Sequence, residues 1–350
     1  MVSRRSFLVG AAALGGSLLT PGCTRDEVGE SSPVTTTTTP TPTTTTTVPE
    51  LWAAADFGEL DALLDETDTA SFVVVDGDRT IHEWYRDDTS HTQDIASAQK
   101  SVLSLLVGRA IADGLFSLDT RIDDVLGTDW TPGGQSASIT VEHLLTMTSG
   151  LDDALAVVRE PGVAWLYSGA FARLFDVVTR TSGRASTAKD LNDLASEWLF
   201  ALVGADGAGF YERPFGGPYA RFGLRCTAGD LIEIGRGVRD RSIPGVPAEW
   251  YTASFAATAL NQSYGYLWWL NGQATFRLPG RERRERPGPL VPSAPSDAVA
   301  ALGKDDQKLY ISSATGLVVA RQGGRADAGT RASLSGFDER LWALLAELRG

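Results

Sequence analysis

The sequence predicts an α+β fold in which strands from both ends of the folded part form one antiparallel sheet. β-rich runs occur near the start of that part and again in its last third, and helical periodicity fills the stretch between them. Strands at the two ends most simply share one sheet, so the helices between them form an inserted, mostly helical subdomain. A crevice between the two parts is a natural place for a functional site.

The first predicted elements are a short helix and a hairpin. Residues 57–64 have the apolar spacing of an amphipathic helix. Residues 71–75 and 80–85 are rich in β-branched and aromatic residues, and Asp76-Gly77-Asp78 between them is typical of a hairpin turn.

The middle of the chain is predicted to be helical. The apolar spacing over residues 98–113, with Gly114 as a stop, predicts a long helix. The same kind of spacing and capping predicts further helical segments at 141–147, 170–181, 187–203 and 231–235.

The last third returns to strands. Short β-rich runs predict four strands, at 266–270, 298–302, 308–312 and 317–321. Ala314-Thr315-Gly316 is the predicted turn between the last two strands, and leucines spaced over 341–348 predict a final amphipathic helix.

Composition and charge exclude several classes of protein. The chain of 350 residues has 44 Asp and Glu against 31 Lys and Arg, and its net charge of −13 argues against nucleic acid as a partner. No run of about 18 or more apolar residues occurs, which excludes a polytopic membrane protein. Two Cys cannot build a disulfide framework, and three His leave little room for a multi-histidine metal site, so we expect no metal.

Residues 1–22 are predicted to be an export signal. Arg4 and Arg5 precede an apolar run over 7–19, which is too short to span a bilayer as a mature helix. Paired Arg followed by Phe-Leu is similar to a twin-arginine signal, and an ordinary secretory signal is the alternative. Both interpretations predict export.

The end of this signal resembles a bacterial lipobox. In Leu18-Leu19-Thr20-Pro21-Gly22-Cys23, cleavage before Cys23 would leave an N-terminal cysteine for acylation, although Leu lies one place further back than usual. We therefore expect a lipid anchor at the outer face of the cytoplasmic membrane and no other membrane contact. The alternative is a free Cys23 in a tail.

Residues 23–50 are predicted to be a disordered tether. Residues 31–49 contain eleven Thr and four Pro, without a charge or an aromatic ring, and such a segment cannot form a core. The folded domain is therefore predicted to span 51–350, which is long enough to bury a large core.

A serine and a lysine at the start of the long helix form the first chemical motif. Ser97 and Lys100 are three residues apart, so their side chains share one helix face. A serine hydroxyl needs an adjacent base to act as a nucleophile, and a neutral lysine can serve. The free N–H groups of a helix N-terminus can also stabilise an oxyanion. Ser186 and Lys189 repeat the spacing, but on a polar stretch between helices, where we expect a cap and a solvated lysine.

Other hydrolase chemistries have weaker support. The chain has no G-x-S-x-G, H-E-x-x-H or C-x-x-C motif. A Ser-His enzyme using His91 remains an alternative to the Ser-Lys pair, whereas His143 lies in an apolar helix and is expected to be structural.

Several motifs in a fixed order resemble the β-lactamase-related serine hydrolases. They are Ser97-x-x-Lys100 with Gly108-x-Ala110-Ile-x-x-Gly114, His143-Leu-Leu-Thr-Met-Thr-Ser-Gly-Leu151, Pro161-Gly-x-x-x-x-Tyr167-Ser, and Tyr264-Gly-Tyr-Leu-Trp-Trp269. The superfamily includes class C β-lactamases, D-alanyl-D-alanine carboxypeptidases, esterases and 6-aminohexanoate-dimer hydrolases. The resemblance covers about residues 70–322 and implies the β-lactamase/transpeptidase-like fold.

The resemblance implies a role for each site residue. Ser97 would be acylated, Lys100 would be its base, and Tyr167 would match the tyrosine of the Y-x-N motif that relays protons. Ser168, which follows it, is a further substrate-binding candidate. Lys304 would take the cation position of the K-T-G or H-x-G motif, and the Gln307 N–H would join that of Ser97 in the oxyanion hole. No cofactor is implied.

The motifs that contain Tyr167 and Lys304 also have a purely structural interpretation. Tyr167 would then be a core aromatic beside Trp165. Lys304 would belong to a charged turn with no part in catalysis.

Two departures from the family pattern bear on the substrate. Gly169 stands at the Asn of Y-x-N, and Asp305 and Asp306 follow Lys304 where the family has small residues. Two acids at this place are expected to repel a substrate carboxylate, which favours small-molecule or peptide-like esters or amides without one. Penicillin-directed activity and a catalytically idle cell-wall-binding module are the alternatives.

Overall fold

The computed structural model describes residues 51–87, 90–134, 136–214, 221–280, 284–327 and 334–350. The predicted signal, the lipidation site Cys23 and the tether lie outside the described residues. The strands of this part are β1 (Thr69–Asp76), β2 (Arg79–Tyr85), β3 (Gln93–Asp94), β4 (Gly209–Glu212), β5 (Phe222–Cys226), β6 (Trp269–Leu270), β7 (Thr275–Phe276), β8 (Arg286–Pro287), β9 (Val299–Gly303), β10 (Gln307–Ile311) and β11 (Leu317–Gly323).

The α-helices of the described part are α1 (Gly58–Glu66), α2 (Gln99–Ala112), α3 (Ile122–Leu126), α4 (Val141–Leu145), α5 (Arg173–Thr181), α6 (Ala188–Ala195), α7 (Ala201–Val203), α8 (Ala228–Arg239), α9 (Ala248–Ser254) and α10 (Gly336–Arg349). One 3₁₀ turn, Ala96–Ala98, leads into α2, and another, Gly169–Ala172, leads into α5. A π-helical turn, Ser196–Phe200, joins α6 to α7.

The predicted sheet is confirmed. Its order is β2-β1-β11-β10-β9-β6, and all five pairs of neighbouring strands in it are antiparallel. The second strand of the N-terminal hairpin lies at one edge, while β1 pairs on its other side with β11 from the far end of the chain. The α+β class and the joining of both chain ends in one sheet are therefore as predicted.

Helices cover both faces of this sheet. Leu309 and Ile311 of β10 face α8, where a Cβ added at Gly235 would lie 2.4 Å from Val318, so only glycine allows this close approach. The next residue along the strand, Tyr310, faces the other way, and its ring meets Trp342 of α10 at 5.5 Å. Because side chains alternate along a strand, α8 and α10 lie on opposite faces.

The predicted long helix is confirmed as α2, and eleven of its fourteen residues are buried. A helix that is buried nearly all round lies inside the protein rather than on its surface. Here it connects the helical part to the sheet, since it contacts α5 on one side and β9 on the other.

Some elements differ from the prediction or were missed. Only Trp269 and Leu270 of the predicted strand 266–270 pair with the sheet, because Leu267 has a left-handed φ of 62° that breaks the extended run. β4 and β5 are not among the predicted strands, and with β3 they form a separate three-stranded sheet. Among the described residues, no helix combines the length and apolarity needed to cross a membrane.

Candidate active site

A cleft of about 790 Å³ brings the predicted site residues together. It lies where the β9–β10 end of the main sheet meets the start of α2 and the Tyr167 loop. All six predicted chemical residues line it, namely Ser97, Lys100, Tyr167, Ser168, Lys304 and Gln307.

The segment before Ser97 has an unusual backbone that the fold holds in place. Ala96 has a left-handed φ of 50°, which costs a non-glycine residue about 1 kcal/mol or more. The Asp94 carboxylate offsets this cost by accepting the Ala96 N–H at 2.7 Å. The chain then enters the 3₁₀ turn with Ser97 half-buried at the helix start.

Lys100 lies directly beside Ser97. Its Nζ donates to the Ser97 Oγ at 2.9 Å, and the residue is only 5% exposed. The ammonium position lies 4.7 Å from the ring centre of Tyr167 and 4.2 Å from that of Phe171. Aromatic faces attract a cation, so these two rings fix the lysine at the hydroxyl.

Tyr167 is held by an aromatic cluster, which the sequence analysis missed. Its ring stacks on Trp269 at 6.1 Å and meets Tyr264 edge-on at 6.1 Å and Trp165 at 5.9 Å. Burial raises the pKa of Tyr264 well above its usual value, so that phenol stays neutral. Tyr167 itself is half-buried and reaches the cleft, unlike a side chain that only fills the core.

The turn between β9 and β10 approaches the Ser97 segment closely. A Cβ added at Gly303 would lie 2.2 Å from the Ile95 carbonyl oxygen, so this contact requires glycine. Gln307, the first residue of β10, pairs in register with Gly303. The contact therefore places both Lys304 and Gln307 at the rim near Ser97.

The two acids of this turn point in different directions, whereas both were expected to face the substrate. Asp305 lines the cleft, 3.5 Å from the Lys304 Nζ. Asp306 is fully buried and faces away, where its carboxylate meets Lys308 at 3.0 Å, the Ser335 hydroxyl and the Ala326 N–H. The expectation that both would repel a substrate carboxylate is therefore wrong for Asp306.

Asp94, Arg213 and Tyr211 form a charged network at the cleft wall that was not predicted from the sequence. Arg213 donates to both oxygens of Asp94, at 2.8 and 2.9 Å, and the Tyr211 hydroxyl donates to the same carboxylate. Burial disfavours ionisation of Asp94, but these hydrogen bonds outweigh it and lower the pKa of the carboxyl below its usual value. The ionised carboxylate is thus available to hold Ala96.

The three histidines lie away from this cleft. His91 pairs with Asp87 at 2.9 Å on the surface, and His82 pairs with Asp61 at 2.7 Å. His143 accepts the Thr140 N–H in a capping box, as expected of a structural residue. The second Ser-Lys pair is also outside. Lys189 is 82% exposed, as predicted, but Ser186 is not the predicted helix cap, because Thr187 caps α6 and the Ser186 hydroxyl bonds to Thr179.

Gly169 stands where the family's Y-x-N motif has an asparagine, and a different residue supplies a polar side chain nearby. Gly169 lines the cleft without a side chain, and its N–H donates to the Asp153 carboxylate at 2.8 Å. Asp153 lies 16 residues earlier, lines the same cleft and is exposed. Ser168 is 5% exposed, and its hydroxyl caps the 3₁₀ turn that follows.

Most of the chain matches the model of a known protein family. The family model described as Beta-lactamase matches residues 60–320, which include all the residues that line the cleft except Gly323 and Gly324. The chain belongs to the beta-lactamase family. The recognised superfamily, its fold and the serine hydrolase class of enzyme are thereby confirmed. A search of curated proteins finds no match.

Solved structures of beta-lactamase relatives share the fold at low identity. A β-lactamase from Mycobacterium bovis is 20% identical, with a TM-score of 0.61, and the match covers 81% of this chain and 96% of that one. A class C β-lactamase from Rhodobacter sphaeroides is 16% identical, with a TM-score of 0.57 and coverage of 83% and 98%. EstCE1, a hydrolase with promiscuous acyltransferase activity, is 14% identical, with a TM-score of 0.59 and coverage of 83% and 96%.

The cleft of this beta-lactamase family member offers acid–base groups rather than a metal site. Within the described part of the chain, no group of three or more His, Cys, Asp or Glu side chains is placed to hold a metal ion.

Proposed function

We propose that the chain is a serine hydrolase that cleaves an ester or amide through a covalent acyl-Ser97 intermediate. One observation carries the proposal: the Lys100 Nζ lies 2.9 Å from the Ser97 Oγ within a cleft that also holds Tyr167. A nucleophile within hydrogen-bond reach of a base is the arrangement that acyl transfer requires.

The reaction begins at Ser97. The Ser97 hydroxyl proton passes to the neutral amine of Lys100 as Oγ attacks the substrate carbonyl carbon, and the N–H groups of Ser97 and Gln307 stabilise the oxyanion. Tyr167 donates its phenol proton to the leaving group, whose bond to the carbonyl carbon breaks, and the Lys100 ammonium gives its proton to the phenolate. Water then attacks the acyl carbon and gives a proton to Lys100, which passes it to Ser97 Oγ as the bond between Oγ and the acyl carbon breaks and the acid leaves.

The charges at the rim of the cleft favour ester or amide substrates without a carboxylate over penicillins, which carry one. Asp305 accompanies Lys304 at 3.5 Å and partly neutralises it, so a substrate carboxylate gains less there. A penicillin-directed activity is the second candidate, and it is supported by the 55% exposure of the Lys304 side chain at the cleft.

We propose further that the enzyme is exported and anchored through Cys23 at the outer face of the cytoplasmic membrane. This rests on the paired Arg4 and Arg5, the apolar run 7–19 and the lipobox-like sequence alone. A small-molecule or peptide-like acyl compound of the cell envelope is then the partner.

The test is covalent labelling followed by turnover. Residues 51–350 are incubated separately with a fluorophosphonate, p-nitrophenyl butyrate and nitrocefin, and intact mass and product release are measured. We expect one phosphonate adduct and ester turnover, with Ser97→Ala losing the adduct and reducing turnover by about 10⁴-fold or more.

Matched variants separate the alternatives. Ser186→Ala carries the same change at the second Ser-Lys pair and should keep both signals. His91→Ala should keep them too, and its inactivity would favour the Ser-His mechanism. Nitrocefin turnover would favour the penicillin-directed activity, and absence of any adduct on folded protein would favour an idle binding module.

A further inference from the structure

The charged side chains of the cleft are mostly paired with one another. Asp94 and Arg213 form a two-point ion pair, and Lys304 lies beside Asp305. Lys100 is engaged with Ser97. Two of the three carboxylates that line the cleft therefore already face a cation of the protein.

The remaining carboxylate, Asp153, has no cationic partner among the described residues. One of its oxygens accepts the Gly169 N–H at 2.8 Å, which orients the side chain toward the start of the 3₁₀ turn. A carboxylate has about four acceptor positions, and this bond uses one of them. Because Asp153 is exposed and lines the cleft, the rest of its acceptor capacity is open to a ligand.

The neighbouring residue leaves space at this carboxylate. Gly169 has no side chain, so nothing from that position stands between Asp153 and the cleft. Tyr167, two residues earlier, has its ring 4.7 Å from the Lys100 Nζ. The carboxylate is thus attached through Gly169 to the loop that carries the proton-transfer tyrosine.

We propose that Asp153 determines specificity by binding a cationic ammonium group of the acyl substrate. The inference rests on the proposed hydrolase function and names the substrate class of the same cleft. An ammonium beside an otherwise unneutralised carboxylate gains Coulomb attraction in a cleft that water only partly screens. A substrate carboxylate placed there would be repelled.

The experiment compares substrates that differ in charge but hardly in shape. Butyrylthiocholine is measured against 3,3-dimethylbutyl thiobutyrate, in which carbon replaces the quaternary nitrogen of the leaving group. The p-nitrophenyl ester of 4-(trimethylammonio)butyrate is measured against that of 5,5-dimethylhexanoate, which places the charge on the acyl side. We expect kcat/KM to favour the cation by about three- to tenfold in at least one pair, and less at 1 M salt.

Asp153→Asn tests the residue itself. The asparagine retains an oxygen for the Gly169 N–H, so the loop is kept while the charge is removed. It should abolish the preference, so that kcat/KM of the cationic and the uncharged member of each pair agree within about twofold. Asp152→Asn is the matched control, because the Asp152 carboxylate is used inside its own loop by the N–H groups of Ala154 and Ala156.

Each outcome decides one proposal. Equal rates for both members of each pair in the wild type, or a preference that survives in Asp153→Asn, overturns the specificity inference while the hydrolase stands. If the uncharged esters are not hydrolysed and Ser97 takes no phosphonate, the hydrolase proposal itself fails. A preference lost in Asp153→Asn and kept in Asp152→Asn supports both.

Discussion

Two lysine–aspartate pairs of the same turn have opposite surroundings. Lys304 and Asp305 lie 3.5 Å apart at the cleft, with side chains 55% and 38% exposed. Lys308 and Asp306 lie 3.0 Å apart and are both fully buried. Both pairs join a lysine to an aspartate, and the two lysines are only four positions apart in the sequence.

The difference in burial gives the two pairs different roles in binding and in stability. Water screens Lys304 and Asp305, so their attraction contributes little to stability, and both remain open to a ligand. Lys308 instead joins Asp306 to Asp338 at 2.8 Å, and Asp338 belongs to the cap of α10. The buried pair therefore fastens the turn at the cleft to the C-terminal helix.

The largest expected effect comes from breaking the buried pair. Lys308→Met leaves two buried carboxylates without their ammonium, and we expect a loss of about 3–5 kcal/mol in unfolding free energy. Urea denaturation measures it. Lys189→Met, which removes an exposed ion-paired lysine, is the control and should cost about 1 kcal/mol or less. Similar losses in both variants would contradict the comparison.

Acid should weaken the buried pair in a defined range. Burial opposes ionisation of Asp306, but Lys308 outweighs it and lowers the pKa of this carboxyl below its usual value of 3.8. Its contribution to stability is thus complete above about pH 4 and is lost as pH falls further, toward the lowered folded-state pKa.

The measurement is the difference in unfolding free energy between wild type and Asp306→Asn from pH 7 down to pH 3. We expect this difference, about 3 kcal/mol at neutral pH, to become smaller only below about pH 4. A difference that stays constant over the whole range would show that the carboxylate charge is not what stabilises the turn.

The smallest effect is expected at the exposed pair. Lys304→Met should change the unfolding free energy by less than about 1 kcal/mol, because solvent already weakens its attraction to Asp305. Thermal unfolding of the two lysine variants side by side gives the ranking. A loss at Lys304 equal to that at Lys308 would mean that exposure does not separate the pairs.

Local patterns explain what the sequence predicted well. Ser97 and Lys100 share a helix face because of helix geometry alone, so their contact follows from their spacing. The cap at Thr140 and the end of the helical segment at Gly204 are likewise set by neighbouring residues. The sheet was predicted because β-rich runs occur at the two ends of the folded part with helices between them, so the strands most simply pair with one another.

Long-range contacts and side-chain direction explain what was missed. Asp94 and Arg213 are 119 residues apart, and nothing local marks them as partners. An Asp side chain that accepts the N–H two residues later forms a common turn, which is a local reason for the Asp94–Ala96 hydrogen bond but gives no sign of Arg213. The opposite directions of Asp305 and Asp306 depend on two successive left-handed residues, with φ values of 62° and 57°, which aspartate adopts less readily than glycine.

The pairing of β1 with β11 also decides when folding can finish. Val74 pairs with Val319, so a ribosome adding about 5–20 residues per second makes the partner roughly 12–50 s after the first strand. Until then β1, which is almost wholly buried in the finished sheet, has only β2 beside it. The first strand to be synthesised is therefore among the last to be completed, and its unpaired apolar edge stays open to wrong pairing during synthesis.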